Sequence, residues 1–200
     1  MSLAADALKH CALEKHPDVD RVLITCNALA TQVHSLGAAI SRDYAALGVN
    51  EVTVVAIANG AMIFAADLLR SISLHTRFDS IRVSSYLDGT TPSSVPQFRD
   101  ALHLALEGRH VLVVDDILDT GNTLNRLCGV LQQQAPASLK TCVLLDKKAR
   151  RKVPFEASYV GFDIPDNFVV GYGLDFAERY RNLPFVGVLK QEKQNPANWV

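Results

Sequence analysis

No apolar run in these 200 residues approaches the length of a membrane span, and the opening stretch MSLAADALKHCALEKH lacks a basic-then-apolar leader pattern. Charge of one sign is equally scarce. Twenty Lys and Arg against 21 Asp and Glu leave a formal net charge of -1, which suggests neither a basic nucleic-acid surface nor an acidic tail. The four cysteines (Cys11, Cys26, Cys128, Cys142) contain no C-x-x-C pair, and the six histidines show no ligand spacing. Buried thiols in a reducing compartment are therefore expected, rather than zinc ligands or disulfides. The absence of G-x-G-x-x-G argues against dinucleotide binding. With no internal repeat, low-complexity tract or evident linker, the chain reads as one soluble, cytoplasmic α/β domain over residues 1–200, ample for a single core. No membrane or nucleic-acid partner is expected.

What is present centres on Val111–Leu124, VLVVDDILDTGNTL. Four consecutive apolar residues suit a strand buried on both faces of a parallel sheet. Asp115 and Asp116 follow at once, then Asp119, then the small polar residues Thr120, Gly121, Asn122 and Thr123. Leu124, Leu127, Cys128 and Leu131 continue with helical spacing. A strand, a short polar loop and a helix start make an anion site, because the first helical turn presents unpaired N–H groups. Gly121 lets the backbone approach a phosphate, and Thr120 and Thr123 add hydroxyls. Carboxylates beside such a loop need a compensating partner. Sugar hydroxyls or a hydrated magnesium ion would supply one, and phosphoribosyl pyrophosphate combines hydroxyls, phosphate and a metal-bound leaving group.

Elsewhere the chain alternates in the same manner. RVLIT (21–25) is a short strand candidate, followed by a helix from Ala28 to Leu47 capped by Asn27. EVTVVAIA (51–58) is a second strand, then Asn59-Gly60, then a helix from Ala61 to Ile72. Asn59-Gly60 reads equally as a tight turn or as a second backbone anion site. DSIRVSSYL (79–87) alternates as a strand, and the polar segment 88–100 suits either a lid or a surface excursion. KTCVLL (140–145) is another buried strand, ending at Asp146, Lys147 and Lys148. Charge pattern alone favours a solvated run for Lys147, Lys148, Arg150, Arg151 and Lys152. In the last third, SYVGFDI and NFVVGY read as strands, Phe176 to about Asn182 as a short helix capped by Asp175, and Phe185–Leu189 as a final strand.

The central motif resembles the diphosphoribosyl-binding signature of type I phosphoribosyltransferases. VGFDIPDNFVVGYGLDFAERYRNLPFVG, together with GAMIFAADL, VSSY and LLDK, narrows the resemblance to the 6-oxopurine (hypoxanthine–guanine) enzymes, over about residues 50–190. It implies that family's fold: a mostly parallel central sheet flanked by helices (core about 28–165), under a small hood from terminal segments (about 1–27 and 166–200). It also implies reversible transfer of phosphoribose to a purine base with Mg2+, in a homodimer or homotetramer. Carried over by position, Asp119 to Thr123 would hold the 5′-phosphate, while Asp115 and Asp116 would face the ribose hydroxyls and organise one magnesium ion. Asp119 would assist proton transfer at the purine N7. Lys147 would donate to the exocyclic O6, Phe168 would stack on the base and the backbone at Val169 would read its edge. Asp175, beside the base, would contact a second magnesium ion, Arg181 with Asn59 and Gly60 would bind pyrophosphate, and Ser85 and Tyr86 would begin a lid.

One departure stands out. Where the family usually has Leu-Lys-Gly or Leu-Arg-Gly, this chain has Ala58-Asn59-Gly60, which implies a weaker pyrophosphate contact. A catalytically weak regulator of the same fold, or an enzyme preferring xanthine, are the alternatives.

Overall fold

The computed structural model describes residues 15–84, 97, 98, 102–195 and 197. Its axis is a pair of adjacent parallel strands, β2 (Glu51–Ala58) and β5 (His110–Leu118), flanked by β3 (His75–Ser84) on one side and by β6 (Ser138–Asp146) and β7 (Tyr159–Asp163) on the other. These five strands run parallel in the order β3-β2-β5-β6-β7, and β4 (Gln97–Phe98) adds antiparallel to β3.

The buried strands are near-continuous apolar runs because helices cover both faces. Successive residues point to opposite sides and join separate clusters. Val54, Ala56, Leu112 and Val114 pack with Leu29, Val33 and Ile40 of α1 (Cys26–Ala45) and Phe64 and Leu68 of α2 (Met62–Ser71). Val55, Val111, Val113 and Val143 pack with Leu124, Leu127 and Leu131 of α3 (Asn122–Gln132). At Gly37 a Cβ would lie 2.4 Å from the Ser71 carbonyl oxygen, so α1 and α2 cross at backbone contact.

A second sheet joins the two ends of the described chain. β1 (Val19–Ile24), β9 (Val186–Leu189) and β8 (Val169–Val170) are antiparallel in the order β1-β9-β8. It has its own apolar cluster, with Val170, Tyr180, Leu183, Phe185 and Leu189 at its centre.

Several expectations are corrected. α1 begins at Cys26, because the Thr25 Oγ1 accepts the Ala28 N–H at 3.2 Å and caps the helix in place of Asn27. No helix forms over 176–182. Ala177, Glu178 and Tyr180 have φ of +49°, +62° and +74°, and Phe176 and Arg179 exchange backbone hydrogen bonds instead. β5 continues through both acids to Leu118 rather than ending before them. Cys142 is a buried thiol and Cys128 a partly buried one, but Cys26, near the surface at the start of α1, is disulfide-bonded. Among the described residues no helix is long and apolar enough to cross a membrane.

Candidate active site

The carboxyl end of β5 supplies the first acids. Asp115 is paired in register with Val143 of β6 and is buried, whereas Asp116, partly exposed, lies at the cavity wall. The Asp116 N–H donates to the Asp115 Oδ1 at 3.0 Å. Burial and the neighbouring Asp116 charge hold the Asp115 carboxyl well above its usual range. Burial likewise pushes Asp116 up, to about 6, against the opposing pull of the Arg181 guanidinium.

The chain then turns at Asp119 and Thr120, and Gly121 precedes α3 with φ +84°. The N-cap residue Gly121 offers no side-chain cap, the first turn holds no acid, and only the Asn122 N–H finds a side chain, the Thr120 hydroxyl at 3.4 Å, so this helix start borders a cavity of about 330 Å³ with N–H groups to spare. Asp115, Asp116, Asp119, Thr120, Gly121 and Thr123 all line that cavity; Asn122, the first residue of α3, is exposed beside it. The Asp119 Oδ1 is buried and accepts no hydrogen bond among the described residues. Its ion pair is with Arg150 Nε, at 3.4 Å. A larger groove of about 800 Å³ runs along β7 past Asp146 and Phe155.

Lys147 follows β6, and its N–H donates to the Leu118 carbonyl at 2.9 Å, which seats it behind the acidic loop. Its side chain is only 7% exposed, contrary to the solvated run that charge pattern favours, because it lies in the sheet's carboxyl edge and not on a helix face. Its ammonium is 3.8 Å from Asp166 Oδ1, which Arg150 Nη1 also approaches at 3.8 Å. Two cations and two carboxylates thus alternate from Lys147 to Asp119. Phe168, two residues beyond Asp166, is 38% exposed and meets Phe176 edge-on at 5.1 Å; Val169 is buried in β8.

The third part is the 58–60 turn and the loop after β8. The Ala58-Asn59 peptide is cis, and Asn59 is exposed, with its carbonyl accepting the Met62 N–H at 3.2 Å. Gly60 abuts the central acids: a Cβ there would lie 1.9 Å from Asp116 Oδ2. Gly173, at φ +102°, sits against the Gly60 carbonyl, 2.2 Å from where its own Cβ would be. Arg181 donates to the Gly173 carbonyl at 2.9 Å and pairs with Asp175 Oδ1 at 2.8 Å and Glu178 Oε2 at 3.1 Å. Asp175 also accepts the Glu178 N–H at 2.9 Å, a cap without a helix.

The geometry therefore links Asp119, Asp115, Asp116, Lys147, Gly60, Asp175 and Arg181 through direct neighbours. Ser85 and Tyr86 lie outside the described residues. Arg150 and Asp166 were not singled out from the sequence. Their only signal was position, just past the carboxyl ends of β6 and β7, where ligands of open α/β sheets gather.

Comparison with known proteins bears directly on this arrangement. Residues 22–177 match the family described as "Phosphoribosyl transferase domain". The Listeria monocytogenes "Bifunctional protein TilS/HprT" is 44% identical over 177 residues, 88% of this chain, which spans only 27% of that relative's length. A hypoxanthine-guanine phosphoribosyltransferase of Streptococcus pneumoniae is 43% identical over 175 residues, 88% of this chain and 96% of the relative. Among solved structures, the hypoxanthine phosphoribosyltransferase of Trypanosoma cruzi in complex with the product IMP superposes with a TM-score of 0.83 at 38% identity, covering 89% of this chain and 98% of that one. With the matched residues spanning most of the chain and both sheet and acidic loop in place, this chain belongs to the phosphoribosyltransferase family, among its hypoxanthine–guanine members.

Proposed function

We propose that the chain transfers the 5-phosphoribosyl group of phosphoribosyl pyrophosphate to hypoxanthine or guanine, releasing pyrophosphate and forming IMP or GMP, a purine-salvage reaction. Lys147 carries this reading. A lysine almost wholly enclosed behind the anion loop, with an ion-pair partner no nearer than 3.8 Å, calls for an acceptor from the ligand. The O6 of a 6-oxopurine is such an acceptor, whereas the amino group of adenine is a donor.

The remaining roles follow from chemistry. The backbone N–H groups and hydroxyls of Thr120 to Thr123, with Gly121 and Asn122 at the turn, hold the 5′-phosphate. Asp115 and Asp116 accept from the ribose hydroxyls. Phe168 stacks on the purine beside the backbone of Val169. As the purine nitrogen bonds to C1′ and the bond from C1′ to pyrophosphate oxygen breaks, Asp119 takes up the purine proton near N7. The nearby carboxylates favour the positive charge that develops on the sugar. Arg181 and the Asn59-Gly60 turn receive the pyrophosphate.

Among the described residues no cluster of three or more His, Cys, Asp or Glu side chains could hold a metal ion unaided. The adjacent Asp115–Asp116 pair and the separate Asp175 offer hard carboxylate oxygens. That donor set fits magnesium carried partly on substrate oxygens and water. When bound, the ion neutralises charge on the departing pyrophosphate. Residues 1–200 would act as one catalytic unit, in the cytoplasm, and a homodimer or homotetramer is the assembly we propose.

Initial rates with phosphoribosyl pyrophosphate and magnesium against hypoxanthine, guanine, xanthine and adenine test the reading. Turnover of the first two with none of adenine is expected. Turnover of adenine would remove Lys147 as the selector, faster turnover of xanthine would move the substrate assignment, and no turnover with any base would indicate a regulator.

A further inference from the structure

Arg151 sits in a run of basic residues, yet its side chain is only 17% exposed. Its guanidinium has three partners. Nη1 donates to the Leu118 carbonyl at 3.1 Å and to the Asp119 carbonyl, and Nη2 pairs with the buried carboxylate of Asp146. The segment beyond it holds the same loop. The N–H groups of Lys152 and Val153 both donate to the Thr120 carbonyl, at 2.9 and 3.3 Å. Gly121 is backed by Val153, Arg151 and Phe155, which a Cβ would meet at 2.9, 3.2 and 3.3 Å. Consecutive carbonyls of residues 118, 119 and 120 are therefore all turned outward and engaged from behind. When successive carbonyls point one way, the N–H groups of the following turn are free to point the other, into the cavity.

We propose that Arg151 is a positioning residue that presets the 5′-phosphate loop, and that it does so from the far side of the loop without touching the ligand. The inference rests on the phosphoribosyltransferase reading above. One planar guanidinium spans two carbonyls and a carboxylate, a geometry a lysine ammonium on a longer flexible stem cannot reproduce. Asp146 in turn precedes Lys147, so the same side chain ties the loop to the strand end that carries the base-facing lysine.

The test compares IMP with inosine, which share base and ribose and differ in the 5′-phosphate. Dissociation constants for both are measured with the full chain, in the wild type, Arg151→Lys and Asp146→Asn. A preset loop matters most to the phosphate. IMP affinity is therefore expected to fall about 10- to 100-fold in Arg151→Lys, the scale of a misplacement near 1 Å, with a much smaller loss for inosine. Asp146→Asn, which keeps an oxygen acceptor for Arg151, is expected to show a smaller loss of the same kind. It also carries the test if Arg151→Lys does not fold. Equal losses for both ligands would reduce Arg151 to a packing residue, and unchanged IMP affinity would overturn the proposal outright. If the wild type binds IMP no better than inosine, the phosphate site itself fails, a result visible before any variant is compared.

Discussion

Asp119 keeps one carboxylate oxygen buried without a hydrogen bond, among the described residues, while Arg150 stands 3.4 Å away. An orphaned buried acceptor is uncommon because it forgoes the hydration it would have in water. On the proposed function it is the acceptor that the purine proton would reach. Asp119→Asn preserves shape but removes the ability to take up a proton, so turnover is expected to slow by roughly one to four orders of magnitude. Unchanged rates in both the forward and reverse directions would remove that role. Asp119 and its loop were legible in the sequence because strand, acids, glycine and helix start are contiguous. Lys147 was legible only through family resemblance: five basic residues within six positions look solvated until the sheet is assembled and two of them prove enclosed. Burial of that kind is set by neighbours far away in the chain, which periodicity does not report.

The strands were legible to within a few residues, since buried parallel strands read as apolar runs. β2 matches its expected bounds, Glu51–Ala58. The turn after it was ambiguous, and contact explains what spacing left open. Gly60 is pressed between the Asp116 carboxylate and Gly173, a relation between segments more than fifty residues apart. In Gly60→Ala the new methyl would meet Asp116 Oδ2, so the turn or the acid must move. A loss of catalytic efficiency on the order of 100-fold is expected, with the melting temperature far less affected than activity. Wild-type kinetics in this variant would show that the turn and the acids are not coupled. The segment 174–182 misled for a different reason. Its apolar spacing and Asp175 suit a capped helix, but three residues in left-handed conformation fold it into bridged turns that aim Arg181 at Asp175 and the Gly173 carbonyl.

Across the whole molecule, the acidic pair sets stability against function. Folded Asp116 retains its proton up to about 6, and Asp115 is likewise held well above its usual range, because burial and the adjacent carboxyl disfavour its charge. In the unfolded chain both titrate near the ordinary value of about 4. Between these limits the folded state binds more protons, so the pair's contribution is most favourable below about pH 4 and is lost as pH rises through 6 and beyond. Asp115→Asn is therefore expected to raise the melting temperature of the ligand-free protein at pH 8 by several degrees, at about 2–4 °C per kcal/mol for a chain of this size. The gain should shrink toward pH 5, while turnover falls. An equal gain at both pH values, or none, would refute the assignment. The smaller sheet is tied within itself by the Tyr180 hydroxyl on Asp18, at 3.0 Å, and Lys193 on the same carboxylate, at 3.3 Å, and to the rest by the Tyr172 hydroxyl, which donates to Asp67 of α2 at 2.6 Å. The loop after β8 reaches the central acids through the stack of Gly173, Gly60 and the Asp116 side chain. That stack shapes how such a protein can change over generations. A variant gaining a methyl at either glycine meets an occupied position, and shortening the acid to make room would discard the ribose contact proposed for it. On the proposed function, change around the base would come more readily through Phe168, Asp166 or Arg150, whose side chains are exposed enough to drift one at a time, than through the glycine pair, which needs several simultaneous replacements.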